Sequence, residues 1–308
     1  MEETRNSPFL NSQDRISNLP EDIIDRIMSF FEMKEVVQTS LLSRRWKDMW
    51  TSVSTLHFDT RAFMSSEAKE SIHYREEKFD LCWDNKSNDI AENLDTWIII
   101  ALKHSVQRLT IEIEYNEDVT FRLPRRLFKF SSLTSLVLDF NGSRVVLPDS
   151  MCLPRLEYLD LRKIRIDDVK LLNKLLSSCP VLEDLILKDI VANNEDGVSV
   201  DIKSSQLKHL KMVNNYRTAC NMAKIIKLTT QGLKSFICSD YMKLKYSLGN
   251  LSSLVTASID MAATHEIEED LYPERMIKFL LAVRSVEELT LLSDVVQVWL
   301  FIPLNYFV

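Results

Sequence analysis

The chain has 308 residues, of which 45% are hydrophobic and 27% charged, with a formal net charge of −7 and a pI near 5.4. That balance fits a soluble protein of about two or three domains. Its four glycines, Gly142, Gly197, Gly232 and Gly249, are isolated from one another, which excludes phosphate-cradling loops of the Walker or dinucleotide type. Cys82, Cys152, Cys179, Cys220 and Cys238 form neither a CxxC pair nor a disulfide framework.

The first residues, MEETRNSPFLNSQ, hold no apolar h-region and no run of about 18 apolar residues occurs, so the expectation is no secretory leader, no membrane span and a nuclear or cytoplasmic location. An acidic chain argues against nucleic acid as a partner. Its local basic group, Arg122, Arg125, Arg126 and Lys129, reads as a solvated face.

Residues 1–13 are polar and aperiodic and read as a disordered arm. Residues 14–60 read as a compact helical module. Asn18 and Glu21 have capping-box spacing, Pro20 falls in the first turn, and Ile23, Ile24, Ile27, Phe30 and Phe31 follow at helical spacing. A second helix is expected over about Lys34 to Leu42, and a third from about Ser43 carrying Trp46, Met49 and Trp50. Three short helices hold more large apolar groups than they can hide among themselves, so one face must pack on the next domain or on another protein.

Residues 61–103 read as a linker and connecting helix. Its charged part, EAKESIHYREEKFD, alternates in sign as a solvated helix would, and a helix from Asp89 to Lys103 places Leu94, Trp97, Ile98 and Ala101 on one side.

From 104 to 308 one pattern returns: apolar-x-x-apolar-x-apolar. It occurs as Val106/Leu109/Ile111, Leu133/Leu136/Leu138, Leu156/Leu159/Leu161 and Leu182/Leu185/Leu187. It continues as Leu207/Leu210/Met212, Leu233/Phe236/Cys238, Leu254/Ala257/Ile259 and Val286/Leu289/Leu291. The intervals are 27, 23, 26, 25, 26, 21 and 32 residues, the period of leucine-rich repeats. The L-x-L step puts two side chains on one face of a short strand, and stacked units close a core that none closes alone. LLNKLLSSCP (171–180) and PERMIKFLLAV (273–283) read as helices of the return segments. The residue after each strand is irregular, with Ile164 and Ile190 where such repeats usually carry Asn or Cys. The apolar ending VVQVWLFIPLNYFV (295–308) reads as a buried last strand or a truncated end.

No catalytic constellation is legible. The five histidines make no HExxH or H-x-H pair, there is no GxSxG elbow, and Asp167-Asp168 reads as loop filler. No metal or cofactor is expected.

Leu19-Pro20, the Ile23/Ile24/Ile27 face, Val37 and the run Leu42-Ser43-Arg44-Arg45-Trp46 ending in Trp50 closely resemble an F-box. LPRRLFKFSSLTSLVL, LPRLEYLDL and LLSSCPVLEDLIL resemble the recurring units of plant F-box proteins with leucine-rich repeats. The two likenesses together run from Asp14 to about Asp294. Many relatives carry a further C-terminal FBD domain, and the expectation is that this chain lacks it.

The resemblance implies an α/β fold class: a three-helix F-box followed by an irregular leucine-rich-repeat solenoid, or horseshoe. It implies a non-enzymatic, substrate-recognition subunit of a Skp-cullin-F-box ubiquitin ligase. Leu19, Pro20, Ile23, Ile24 and Ile27 would face the Skp-type adaptor or line the seam with it, Val37, Leu41 and Trp46 would divide between the module's own core and that contact, and through the adaptor the chain would meet a cullin. Repeat register nominates Thr134, Ser135, Tyr158, Asp160, Asp184, Lys208, His209 and Lys211 on the concave face for an unknown target protein. A slip of one residue would turn each of these away. The alternatives are a scaffold whose F-box engages no adaptor, and a small-molecule receptor on the concave face. The second wants anion-binding character there, whereas Glu157, Asp160, Glu183 and Asp184 make the assigned strands acidic.

Overall fold

The computed structural model describes residues 19–28, 30, 55–59, 71–75, 78–83, 94–95, 98–99, 101–103, 105–114, 119–192, 198–214, 225–240, 245–261 and 271–292. The second and third expected helices of the N-terminal module, with Val37, Leu41 and Trp46, lie outside these residues, as does the segment 295–308.

Helix α1 (Glu21–Met28) opens with the Pro20 carbonyl accepting the N–H groups of Ile23 and Ile24, both at 3.1 Å. The proline sits just ahead of the helix, where its missing donor costs nothing. Strands β1 (Thr55–Asp59), β2 (Ser71–Arg75) and β3 (Lys78–Trp83) follow as an antiparallel meander. Here the structure corrects the expectation of a solvated helix over EAKESIHYREEKFD. Phe79 and Leu81 alternate with half-buried Asp80 and Cys82, and that period of two overrides the charge pattern. The backbone is helical at 94–95, 98–99 and 101–103, with Leu94, Ile98 and Ala101 buried, matching the face expected for the helix before 103.

Beyond β3 the long sheet is entirely parallel. Its strands are β4 (Arg108–Ile113), β6 (Ser135–Asp139), β8 (Tyr158–Arg162), β10 (Asp184–Lys188), β13 (His209–Val213), β15 (Ser235–Asp240), β17 (Thr256–Met261) and β18 (Glu288–Leu291). Further strands of two to five residues lie between them in the chain and form two more parallel sheets. One contains β5 (Thr120–Arg122), β7 (Arg144–Val146), β9 (Arg165–Ile166) and β11 (Val191–Ala192). The other contains β12 (Val200–Lys203), β14 (Ile225–Thr229) and β16 (Lys245–Leu248). Each turn of chain thus gives one strand to the long sheet and, in most turns, one to a small sheet, with the core enclosed between.

The leucine pattern is that core. In the first seven triples every residue is at most 4% exposed; in the eighth, Leu289 is 43% exposed and Val286 and Leu291 only partly covered. A backbone device repeats beside it. One carbonyl just ahead of each strand accepts two consecutive N–H groups of the next turn. Gln107 O takes Thr134 and Ser135, Thr134 O takes Glu157 and Tyr158, and Glu157 O takes Glu183 and Asp184. The series continues through Glu183, Lys208, Lys234 and Val255 to Glu288, at 2.8 to 3.1 Å. Buried backbone groups are thereby satisfied where the chain re-enters the sheet. At the far ends of β8 and β10, Lys163 and Asp189 take positive φ, and the following Ile164 and Ile190 turn inward and are buried.

Helix α2 (Val169–Ser177) is capped by Asp168, whose carboxylate accepts Lys170 N–H at 2.8 Å, and Asp167 pairs with Arg144. Both residues read as loop filler in the sequence therefore have structural roles. The Asn173 side chain on α2 donates to Ser199 O at 2.8 Å and accepts Asp201 N–H at 2.9 Å, mimicking a strand partner for β12. Helix α3 (Leu271–Ala282) packs Phe279 against Phe236 and edge-on to Tyr246, with ring centroids 5.9 and 5.3 Å apart. Among the described residues, no helix is long and apolar enough to cross a membrane.

A Cβ on Gly232 would stand 2.6 Å from the backbone oxygen of Ser205 in the preceding turn. Gly232→Ala must push two stacked turns apart, so a loss of about 1–3 kcal/mol is expected in urea unfolding followed by circular dichroism. Unchanged stability would mean the turns are not stacked this closely.

Candidate functional site

Because side chains alternate along a strand, one set of positions in the long sheet faces the core and the other faces away; the second set is called the open face below. Cross-strand register aligns the open-face residues in rows. The first row runs Arg108, Ser135, Tyr158, Asp184, His209, Ser235. The second runs Thr110, Val137, Asp160, Ile186, Lys211, Ile237, and the third Glu112, Asp139, Arg162, Lys188, Val213, Ser239.

Of the nominated residues, Ser135, Tyr158, Asp184 and His209 are consecutive members of the first row. Asp160 and Lys211 share the second, separated by Ile186. Thr134 and Lys208 stand one residue ahead of their strands, at the rim, where Thr134 Oγ1 donates to Gln107 O and Lys208 pairs with Glu183 at 2.6 Å.

Asp160 is wholly buried despite its place on this face. Its carboxylate accepts Tyr158 Oη–H at 3.2 Å and is gripped by Arg162, from Nε at 2.9 Å and Nη2 at 2.5 Å. The three residues sit at alternate positions of β8, so the strand itself sets the spacing for a bidentate pair. Asp160 is thus a buried support for Tyr158 and Arg162, which are the members of the trio open to solvent. Burial, then Asp160, raises the Tyr158 phenol above its usual value, while the bond to Asp160 raises Arg162 against desolvation.

The third row holds what repeat register alone missed. Arg162 reaches Glu112 at 3.9 Å, and Cys82 Sγ–H donates to Glu112 at 3.4 Å. Burial and Glu112 push the Cys82 thiol up to about 11. Desolvation raises the Asp139 carboxyl, opposed by Asn141 N–H at 3.2 Å. These residues lie two positions past the last leucine-flanking site, so extending the strand period by one step would have found them.

The acidic character expected for the face is offset at two of the four carboxylates, Asp160 by Arg162 and Glu183 by Lys208. What remains is a mixed surface in which Tyr158, Asp184 and His209 border the half-buried Val137 and Ile186 and the exposed Ile237. Aromatic, apolar and singly charged side chains on a rigid ladder suit a protein surface. The buried thiols of Cys179 (up to about 11) and Cys238 are raised, as desolvation dictates, and are not poised as nucleophiles.

The N-terminal helix divides its residues sharply. Ile24 is fully buried in the core, and Leu19 packs partly against it. Pro20 and Ile23 (44% exposed) face solvent, Ile27 is intermediate, and Phe30 is 78% exposed. Ile23 on the helix and Phe30 just beyond it are thus the large apolar side chains left exposed at this end among the described residues.

Arg162→Met leaves Asp160 buried with only a phenol as partner, and a loss of about 3 kcal/mol is expected. Asp160→Leu/Arg162→Met removes both charges and should cost less than the single change. A double-mutant cycle by urea unfolding checks this, and additive losses would contradict the pairing.

Residues 94–257 match the family profile described as FBD-associated F-box protein At5g56370, LRR repeats, and residues 16–58 match the F-box domain profile. F-box/FBD/LRR-repeat protein At4g26340 of Arabidopsis thaliana is 30% identical over 303 residues, covering 92% of this chain and 67% of its own length. F-box protein At4g09920 of the same plant is 28% identical, covering 91% of this chain and 88% of its own. F-box/LRR-repeat protein At1g55660, also from Arabidopsis thaliana, is 31% identical over 221 residues. The chain spans 59% of that relative's length and 66% of another F-box/LRR-repeat protein from this plant. The repeating leucine core, the F-box match ahead of it and the shared identity along nearly the whole chain agree: this protein belongs to the F-box/LRR-repeat family represented by these Arabidopsis thaliana proteins.

Proposed function

We propose that the chain is a substrate-recognition subunit of a Skp-cullin-F-box ubiquitin ligase. In this reading the F-box holds a Skp-type adaptor, and the repeats form a curved solenoid whose open face is concave and takes a target protein. The chain carries out no bond chemistry itself. It supplies proximity between a target and the transferring machinery, which turns an encounter in solution into an intramolecular one.

The observation that carries the reading is the division at α1. Ile24 ties the helix into the same core as the leucine ladder, while Ile23 on it and the flanking Pro20 and Phe30 are left outward. A helix anchored in this way transmits the position of whatever it binds to the sheet behind it. The open face supports the second half of the reading. Tyr158 and Arg162 are held in place by Asp160, and preorganised side chains lose less entropy on binding.

Co-expression of the full chain with a Skp-type adaptor, followed by size exclusion, tests the assignment. The expected result is a stoichiometric complex. Ile23→Asp with Pro20→Ala should abolish it with an unchanged melting curve, since interface anchors typically contribute about 2 kcal/mol or more. Ile24→Asp, by contrast, should lower the melting temperature. Absence of a complex from folded chain would withdraw the ligase reading.

A further inference from the structure

The basic residues that read as a solvated face are not spread evenly over the surface. Arg125, Arg126 and Lys129 converge with Lys103 around a cavity of about 490 Å³, which they share with Ile99, Leu102 and Phe130. Arg122, on β5, is not part of it.

The backbone beneath the three clustered cations is held from within. Leu127 and Phe128 of the 3-10 turn Leu127–Lys129 are wholly buried. Leu127 N–H donates to Pro124 O at 3.0 Å, Lys129 N–H to Arg126 O at 3.1 Å, and Cys152 N–H to Phe128 O at 2.7 Å. Pinned in this way, the turn presents its charged side chains outward from a fixed base. Lys103 reaches the same space from the end of the helical segment before β4.

Among the described residues, no ion pair engages Lys103, Arg125, Arg126 or Lys129. Four like charges around one cavity repel one another, and an anion placed among them relieves that repulsion. This happens in a chain whose net charge is −7, so the field is local and opposite to that of the whole molecule. The exposed cations form a rim, and buried Leu102 with half-buried Ile99 and Phe130 forms an apolar floor. A ligand that matches both must carry negative groups around an apolar centre. Nucleic acid fits poorly, because a long polyanion needs an extended basic stripe and would meet repulsion from the rest of an acidic chain.

We propose that this cavity binds an acidic peptide segment of a partner protein, seating an apolar side chain on Ile99, Leu102 and Phe130 with carboxylates against Lys103, Arg125, Arg126 and Lys129. The site is built from connecting segments rather than from the open face of the long sheet, so it stands whether or not the ligase reading holds.

Fluorescence anisotropy with the full chain and a short labelled peptide, a leucine flanked by glutamates, tests this. Saturable binding is expected, weakening as salt rises. Arg125→Glu with Arg126→Glu should weaken it at least about tenfold without moving the melting temperature. Should that variant fail to fold, Lys103→Gln with Lys129→Gln reads out the same effect more mildly. Replacing the peptide's leucine by serine should also weaken binding, which separates a seated side chain from bare charge attraction. The proposal is overturned by absence of saturable binding, by equal affinity in the folded charge variants, or by equal affinity for the serine peptide. It is overturned too if inorganic phosphate or a single-stranded oligonucleotide binds the same residues more tightly than the peptide.

Discussion

The structure depends on the lock between successive turns of chain. One carbonyl ahead of each strand accepts two amide donors of the following turn, and this fixes where the next strand starts. With the start fixed, the register cannot slip, and every leucine of the pattern falls on the core side. The two effects reinforce each other. The hydrogen bonds satisfy backbone groups that burial would otherwise leave unpaired, and the leucine stack excludes water from those bonds. Gly232 shows how close the turns must come, since even a methyl group would meet the backbone of the preceding one.

The same lock creates the open face. Regular register on the core side means regular rows on the other, so residues about two dozen positions apart in sequence become neighbours. Tyr158, Asp184 and His209 are side by side for this reason and no other. Within that frame the strand period lets β8 hold its own polar trio, with Asp160 buried between Tyr158 and Arg162. At the N-terminal end, Ile24 joins α1 to the common core while Ile23 faces out. The proposed adaptor surface and the proposed target surface are therefore two exposed sides of one packed unit.

Much of this was legible in the sequence, and the exceptions have physical causes. Leucine spacing identified the core side of seven strands because each triple is a direct imprint of burial. The eighth triple keeps that register, with Leu289 beside Ala257, but its packing is incomplete and Leu289 stays exposed. The charged stretch EAKESIHYREEKFD was read as a helix, yet its described residues 71–75 and 78–80 are strand, because sign alternation is a weak cue and the alternation of Phe79 and Leu81 with polar neighbours is the decisive one. Register placed six nominated residues on the open face, yet could not show that Asp160 is covered by its own strand neighbours. Nor could it show that Lys103, remote in sequence, joins the basic group near Arg125. Both depend on which turns stack beside which, and no local pattern records that. The expected F-box helices carrying Val37, Leu41 and Trp46 fall outside the described residues.

Hydrogen–deuterium exchange of the full chain, free and with a Skp-type adaptor, tests most directly whether one end is gripped while the open face is left free. The account predicts new protection in the segment containing Pro20, Ile23 and Ile27, and unchanged exchange in β6, β8, β10 and β13. Protection spreading over those strands, or none in the N-terminal segment, would contradict it.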